Sequence, residues 1–258
     1  MPDRRPLPVP LPSLETPRWS PLRLWLPAVL GLLGFAALPI DLPLARWFHA
    51  GHCPDELGRL LHLAEAYAHG FGVAAILLTV AVLDWRRRAL FPRVLATVVG
   101  AGLFANLLKM CLARTRPHAF SLSGSVWQTF GQWLPLNHAH SDFESFPSGH
   151  MAAAVALSAA LIWLYPRGRW LFVFFALLAG GQRLYSTAHF LSDVIWGAAT
   201  GSFSASLFLP GGWFAPAFDR LETNLALRWK DGLSASELAV AAPAALASTK
   251  PMSSSVDA

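Results

Sequence analysis

Six long apolar stretches dominate the pattern of hydrophobic and polar positions along the chain. They are Leu24–Ile40, about Leu60–Leu83, Val94–Leu112, Met151–Tyr165, Trp170–Tyr185 and Phe190–Leu209. A helix needs about 20 residues to cross the hydrocarbon core of a bilayer, and about 17 at least. Several stretches reach that length, and the two shortest reach it when their flanks are included. The pattern predicts an all-α polytopic membrane protein with about six transmembrane helices in one bundle.

Composition favours this interpretation over buried helices of a soluble bundle. Of the 258 residues, 54% are hydrophobic and 14% are charged, whereas a soluble domain carries about 25% charged residues. We expect residues 1–21 to be a disordered Pro-rich N-terminus and residues 22–210 to be the membrane domain. In the tail, residues 211–258, apolar residues at helical spacing predict an amphipathic helix on the inner membrane face, with an ordinary packed helix as the alternative, followed by disorder. These apolar residues are Phe214, Phe218, Leu221, Leu225 and Trp229.

Basic residues predict the orientation of the spans. Most of them fall in segments that a six-span arrangement places on one side, and the positive-inside rule makes that side cytoplasmic, together with both termini. They are Arg4, Arg5, Arg18 and Arg23 before span one, Arg86, Arg87, Arg88 and Arg93 between spans two and three, Arg167 and Arg169 between spans four and five, and Arg220, Arg228, Lys230 and Lys250 in the tail. The net charge of +5 thus reflects topology, and we expect no nucleic-acid partner.

A second set of polar residues lies at the opposite, outer face, at the ends of four spans. Ionisable groups within membrane-spanning segments are costly, and they point to function by default. The set comprises Lys109 and Arg116 at the end of span three, Phe146–His150 ("FPSGH") before span four, Arg183 at the end of span five, and His189 and Asp193 at the start of span six.

The chemistry of this set suits a phosphate group. Its three cations have Asp193 as the only acidic residue that the sequence places nearby. Arg offers a planar fork that matches phosphate oxygens, and Lys offers a mobile point charge. Ser148 is a good N-cap residue, and a helix that begins at Gly149 would direct free N–H groups at an anion. We therefore expect a phosphate site.

Two histidines supply candidate reaction chemistry. On a helix, His189 and Asp193 would share one face, so the carboxylate would hold the imidazole in one tautomer. The other ring nitrogen would then be free to attack phosphorus. His150 would give a proton to the departing oxygen, because the pKa of an imidazole lies near neutral pH.

Three blocks of the sequence resemble the type 2 phosphatidic acid phosphatase superfamily of integral-membrane lipid phosphatases. The blocks are "KMCLARTRP" (Lys109–Pro117), "PSGH" (Pro147–His150) and Arg183 with His189 and Asp193. The resemblance covers about residues 60–210. It implies a six-helix membrane core, metal-independent dephosphorylation and a phosphohistidine intermediate.

The resemblance also implies roles for individual residues. His189 would be the nucleophile, Asp193 its orienting group and His150 the general acid. The phosphate would be held by Lys109, Arg116, Ser148, Gly149 and Arg183. Gln182 stands where the family usually has Ser, and its amide would donate a hydrogen bond to the phosphate. Arg114 is interpreted as a solvated charge of the outer loop.

The sequence predicts no metal site and no cofactor. His138, His140 and Asp142 in "NHAHSD" resemble a metal cluster, but a short His-x-His arises easily by chance, so we interpret them as ordinary loop residues.

The expected partner is a lipid phosphate that enters the site sideways from the membrane. Candidates are phosphatidic acid, phosphatidylglycerol phosphate, a polyprenyl diphosphate and the 1-phosphate of lipid A. The "AHFLSDV" form of the third block resembles that of lipid A and phosphatidylglycerol phosphate phosphatases. We expect an inner-membrane location with the site on the periplasmic side. A phosphotransferase would use the same residues, and a non-catalytic lipid-phosphate binder or transporter is the alternative from another class.

Overall fold

The computed structural model describes residues 22–136 and 140–228, without the side chains of residues 22–24 and Arg86. The predicted disorder of residues 1–21 and of the end of the tail lies outside the described residues, and so do His138 and Trp229. The chain divides into two compact units after Ala215. In the second unit, residues 216–228 are helical.

The first apolar stretch forms two helices instead of one. Helix α1 (Leu22–Ala36) and helix α2 (Leu38–His49) are bent by 68° relative to each other. A continuous span over Leu24–Ile40 is therefore wrong. Pro39, in the first turn of α2, has no backbone N–H with which to continue the hydrogen-bond ladder of the preceding helix.

The second apolar stretch is also broken. Helices α3 (Asp55–Leu63) and α4 (Glu65–Ala68) lead to α5 (Gly70–Leu83), with a bend of 66°. The break lies at His69, whose backbone is extended and whose Nδ1 accepts a hydrogen bond from the backbone N–H of Phe71 at 3.4 Å. The side chain of His69 thus caps α5 where a continuous helix was expected.

A long helix and a small sheet follow. Helix α6 (Phe91–Cys111) runs directly into strand β1 (Leu112–Arg114), which pairs antiparallel with β2 (Phe130–Trp133). An all-α structure is therefore wrong in the loop between α6 and α7, although the fold is mainly helical. Short 3₁₀ helices cover Trp85–Leu90, Pro117–Ala119, Val126–Thr129, Ser141–Phe143 and Pro166–Gly168.

Three further helices complete the first unit, with α7 in the middle. Helix α7 (Gly149–Leu164) packs against α6, α8 (Arg169–Tyr185) and α9 (Leu191–Phe208). The interior side of α7 carries small and aliphatic residues that are fully buried, such as Leu157 and Ala160. Small residues let the four backbones approach closely.

The C-terminal end of α7 is tied to the basic turn before α6. Arg87 donates a hydrogen bond to the carbonyl oxygen of Leu164, and the hydroxyl of Tyr165 donates to Asp84 at 3.0 Å. The guanidinium of Arg93 lies over the ring of Trp163, 5.4 Å from its centroid. Since 16 residues of helix span about 24 Å, this basic cluster lies far from the "PSGH" segment at the other end of α7.

By length and composition, one helical stretch of the described residues, Arg87–Cys111, suffices to cross a membrane, and counting each bent pair as one span raises the number to three. The number of six spans stays a prediction.

Candidate active site

His189 lies in the turn between α8 and α9, before the first residue of α9. The backbone N–H groups of Ala188 and His189 both point at the carbonyl oxygen of Arg183, at 3.2 and 3.3 Å. The imidazole is 3% exposed, and its Nδ1 lies 2.6 Å from the carbonyl oxygen of Ser145. Because a carbonyl oxygen can only accept, Nδ1 carries the proton and Nε2 keeps its lone pair.

Asp193 does not orient His189 directly, which corrects the sequence-based expectation. The two residues do not share a helical face, because α9 begins only at Leu191. Oδ2 of Asp193 accepts hydrogen bonds from the Ser145 hydroxyl at 2.6 Å and from the Phe190 N–H at 2.9 Å. Asp193 therefore acts on the residue whose carbonyl holds the imidazole.

The "PSGH" segment forms the start of α7, as predicted. The hydroxyl of Ser148 accepts from the Met151 N–H at 3.4 Å and caps the helix, and the Ser148 N–H donates to the carbonyl oxygen of Asp193 at 3.0 Å. A Cβ added at Gly149 would meet no atom within 4 Å. The helix start thus borders open space, where an anion could approach its N–H groups.

A glycine on α9 permits this arrangement. A Cβ at Gly197 would lie 2.4 Å from the carbonyl oxygen of Ser148 and 3.0 Å from Cβ of Met151. The first two turns of α9 therefore lie directly against the start of α7, which brings the His189 turn and the "PSGH" segment together.

The three cations predicted to hold phosphate are Arg116, Lys109 and Arg183. The positive charge of each lowers the pKa of His189, so all three lie near its ring. Nε of Arg116 is buried and has no hydrogen-bond partner among the described residues. Lys109 lies 3.5 Å from Glu144, and Nη2 of Arg183 lies 2.6 Å from Glu65. The expectation that Asp193 is the only nearby acidic residue is therefore wrong.

Glu65 also explains the position of Gln182. The amide Nε2 of Gln182 donates to Glu65 at 3.3 Å, and its Oε1 accepts from Nε of Arg183. In this state Gln182 holds the guanidinium of Arg183, and its amide does not face the phosphate site directly.

His150 occupies the first turn of α7 beside the broken second stretch. Its ring lies 6.0 Å from that of His69, and Arg183, Glu65 and Lys109 are near enough to interact with it electrostatically. Burial and, to a smaller extent, the positive charge of Arg183 lower the pKa of His150 to about 4. The expectation of a pKa near neutral is therefore wrong for this imidazole beside its cations.

Burial lowers the pKa of His189 well below 6.5, and the positive charge of Arg116 lowers it further. The hydrogen bond to Ser145 opposes this shift without overcoming it. Burial likewise lowers the pKa of the Arg116 guanidinium, which nevertheless remains charged at any physiological pH. His189 is thus a neutral imidazole in a cationic environment.

Arg114 is fully buried, so its interpretation as a solvated loop charge is wrong. Its Nη1 lies 2.5 Å from Oδ1 of Asp193, and its Nη2 lies 2.6 Å from Oδ2 of Asp41 on α2. Its guanidinium lies between the rings of Phe130 and Phe190, 4.4 Å from each centroid.

Comparison with known proteins relates part of the chain to one family. Residues 90–215 match the family model of the PAP2 superfamily. This part of the chain belongs to that superfamily. Every predicted catalytic and phosphate-contacting residue lies within it, whereas Asp41 and Glu65 lie outside.

Two curated relatives are both named lipid A 1-phosphatase. The chain is 42% identical to the protein of Rhizobium johnstonii over 111 residues, which cover 43% of each chain. It is 41% identical to that of Rhizobium etli over 111 residues, which cover 43% of this chain and 45% of the relative. The matches thus span less than half the length of these relatives.

A solved structure has the same fold. The crystal structure of Aquifex aeolicus LpxE superposes with a TM-score of 0.50 at 21% identity, covering 64% of this chain and 92% of that one. At this identity the likeness concerns the fold of the helical core.

Proposed function

We propose that this chain is a membrane lipid phosphatase that works through a phosphohistidine on His189. The observation that carries the proposal is the hydrogen bond from Nδ1 of His189 to the Ser145 carbonyl. It leaves Nε2 as an oriented, unprotonated nitrogen beside three cations. A neutral imidazole of lowered pKa is available for attack over a wide pH range.

In the ground state the phosphate lies against Arg116, Lys109 and Arg183, with the N–H groups at the start of α7 (Ser148 and Gly149) completing its contacts. Arg116 offers an Nε that has no hydrogen-bond partner in the described part of the chain, while Lys109 and Arg183 exchange their carboxylate partners for phosphate oxygens. The same cations stabilise the charge that spreads over the equatorial oxygens during transfer.

The reaction has two steps. Nε2 of His189 forms a bond to phosphorus as the bond to the leaving oxygen breaks. His150, whose pKa the negative charge of the bound phosphate raises, gives that oxygen a proton. Nδ1–H of the phosphorylated ring remains on the Ser145 carbonyl. A water molecule then loses a proton to His150 and attacks phosphorus, the N–P bond breaks, and inorganic phosphate leaves.

We assign the substrate to the lipid phosphates, with lipid A 1-phosphate and phosphatidylglycerol phosphate as the preferred members. The support is the name that both curated relatives carry and the position of the site at one end of apolar helices. In this proposal six apolar helical units cross the inner membrane, two of them bent, with cytoplasmic termini and a periplasmic site.

The test is phosphate release by purified protein in detergent with EDTA present. Lipid A, phosphatidic acid and a polyprenyl diphosphate are supplied in parallel. The wild type is compared with His189→Ala and with His52→Ala, a control at an exposed histidine. We expect release by the wild type and by His52→Ala, loss in His189→Ala, and an acid-labile, alkali-stable phosphoprotein after quenching.

Other outcomes would point elsewhere. Transfer of phosphate to a second lipid without release would indicate a phosphotransferase, and binding without either reaction would indicate a carrier. Undiminished release by His189→Ala would contradict the assigned nucleophile.

A further inference from the structure

Asp41 is a fully buried carboxylate on α2 that contacts the start of α9. Its Oδ1 accepts a hydrogen bond from the Ser192 N–H at 2.8 Å, and its Oδ2 accepts from the Ser192 hydroxyl at 2.5 Å and from Arg114 at 2.6 Å. Both oxygens of Asp41 are therefore held by groups next to Asp193.

The surroundings of this carboxylate are closed to bulk solvent. Asp41, Arg114 and Asp193 are each 0% exposed, and the rings of Phe130 and Phe190 cover the guanidinium. Two carboxylates thus share one cation away from water. Well-packed apolar side chains of similar volume often match or exceed the stability of such buried ion groups. Stability alone therefore does not account for this cluster.

From Arg114 the contacts lead to His189 through Asp193 and Ser145. Arg114 donates to Oδ1 of Asp193 at 2.5 Å, and Oδ2 of Asp193 accepts from the Ser145 hydroxyl at 2.6 Å. The carbonyl oxygen of Ser145 then holds Nδ1 of His189.

The backbone of β1 adds a second connection to the same residue. The Ser145 N–H donates to the carbonyl oxygen of Arg114 at 2.9 Å, and the Arg116 N–H donates to the carbonyl oxygen of Asp142 at 2.8 Å. Ser145 is thus fixed through its N–H, its hydroxyl and its carbonyl. Arg114 contributes directly to the first of these contacts and, through Asp193, to the second.

We propose that Asp41 is a positioning residue for His189: it fixes Arg114 and the start of α9 so that Asp193 and Ser145 hold the imidazole with Nε2 aimed at the phosphate. The inference rests on the proposed function. It extends the reaction machinery to α2, which lies before the segment that matches the PAP2 superfamily model.

Asp41→Asn tests this role, because it keeps the size and removes the charge. In either orientation of the amide, its NH₂ group would face a donor from Ser192 or Arg114. At least one hydrogen bond that the carboxylate accepts is therefore lost. We expect kcat to fall about 10- to 100-fold, as for a misplacement of about 1 Å, with KM and the inhibition constant of inorganic phosphate changed less than about 3-fold. The exposed Asp55→Asn is the matched control and should keep wild-type kinetics.

A double-mutant cycle with Ser145→Ala separates positioning from general support of the fold. Because both residues act on the same imidazole, Asp41→Asn should cost much less in the Ser145→Ala background than in the wild type. Additive losses would overturn the proposal. So would an unchanged kcat in folded Asp41→Asn, or a loss that only follows the folded fraction measured by thermal unfolding.

A spectroscopic measurement decides the matter independently of turnover. In protein labelled with ¹⁵N-histidine, the nitrogen shifts of His189, assigned with His189→Ala, should report the Nδ1–H tautomer. Folded Asp41→Asn should show a mixture of tautomers, and Asp55→Asn should not. An unaltered tautomer in Asp41→Asn would refute the positioning role even if no lipid proves to be a substrate. Failure of the proposed function is a different result, in which the wild-type protein releases no phosphate from any lipid.

Discussion

Arg114 and Asp193 form a fully buried ion pair, with Nη1 2.5 Å from Oδ1. The pair joins β1 to the first turn of α9, and Asp41 adds α2 to the same cluster. The residue that the sequence marks as an ordinary loop charge is thus at the centre of the polar packing behind the site.

Replacing Arg114 by Gln should destabilise the fold strongly. The substitution leaves Asp41 and Asp193 buried without a counter-ion, and breaking a buried pair in this way costs about 3–5 kcal/mol. Unfolding in detergent should therefore move to much lower temperature or denaturant concentration. Arg59→Gln, which removes an exposed pair with Glu56, should cost at most about 1 kcal/mol. Equal effects of the two substitutions would contradict the buried cluster.

Glu65→Gln should tighten the binding of inorganic phosphate. Glu65 is ion-paired with the guanidinium of Arg183, so a phosphate that binds this cation must displace it. Because the Glu65 side chain is partly exposed, breaking this ion pair costs up to about 1 kcal/mol. Its removal therefore corresponds to an inhibition constant about 2- to 5-fold lower in the variant. Competitive inhibition by phosphate measures it, with the exposed Glu56→Gln as control. Weaker phosphate binding in Glu65→Gln would show that Glu65 supports the cation instead of competing for it.

Arg116→Gln should move the acid limb of the pH–rate profile to higher pH. The positive charge of Arg116 helps to keep the pKa of His189 low, so removing it raises that pKa, and the imidazole becomes protonated and inactive at a higher pH. Arg116→Lys retains the charge and should leave the limb near its wild-type position. Because the same substrate is used throughout, its own ionisation cancels from the comparison. A shift to lower pH would contradict the assignment.

Gly197→Ala should separate α9 from the start of α7. The new Cβ would lie 2.4 Å from the carbonyl oxygen of Ser148, and overpacking of this kind costs about 1–3 kcal/mol. We expect a lower unfolding temperature and a reduced kcat, since the "PSGH" segment shifts relative to His189. Gly102→Ala on α6 adds a Cβ in open space and should be neutral or slightly stabilising. Wild-type behaviour of Gly197→Ala would mean that the two helices are not in close contact.

Much of the site could be predicted because its residues are polar and occur at the ends of apolar stretches. Lys109, Arg116, "PSGH", Arg183 and His189 are visible against a hydrophobic background, and the structure gathers them at one end of the helices. The partner of His189 could not be predicted in this way. It is a backbone carbonyl, which every residue possesses, so no side-chain pattern indicates it.

The helix breaks and the buried cluster were harder to predict for a different reason. A hydropathy pattern does not predict the bend at His69, where a side chain caps a new helix. Glu65, in the short helix before this bend, lies beside Arg183. Asp41 did leave a signal, as a lone carboxylate near the end of the first apolar stretch. Its partner Arg114 lies 73 residues further along the chain, and local pattern carries no information about such a pairing.

The hydrogen bonds between Asp41 and Ser192 connect positions 151 residues apart. During synthesis from the N-terminus, Asp41 therefore leaves the ribosome long before its partners on α9 exist. The charge cluster can close only when the last helix of the bundle takes its place. Assembly of the site is consequently a late event in biogenesis, and chains that stop before α9 lack the N–H and hydroxyl groups of Ser192 that both oxygens of Asp41 contact.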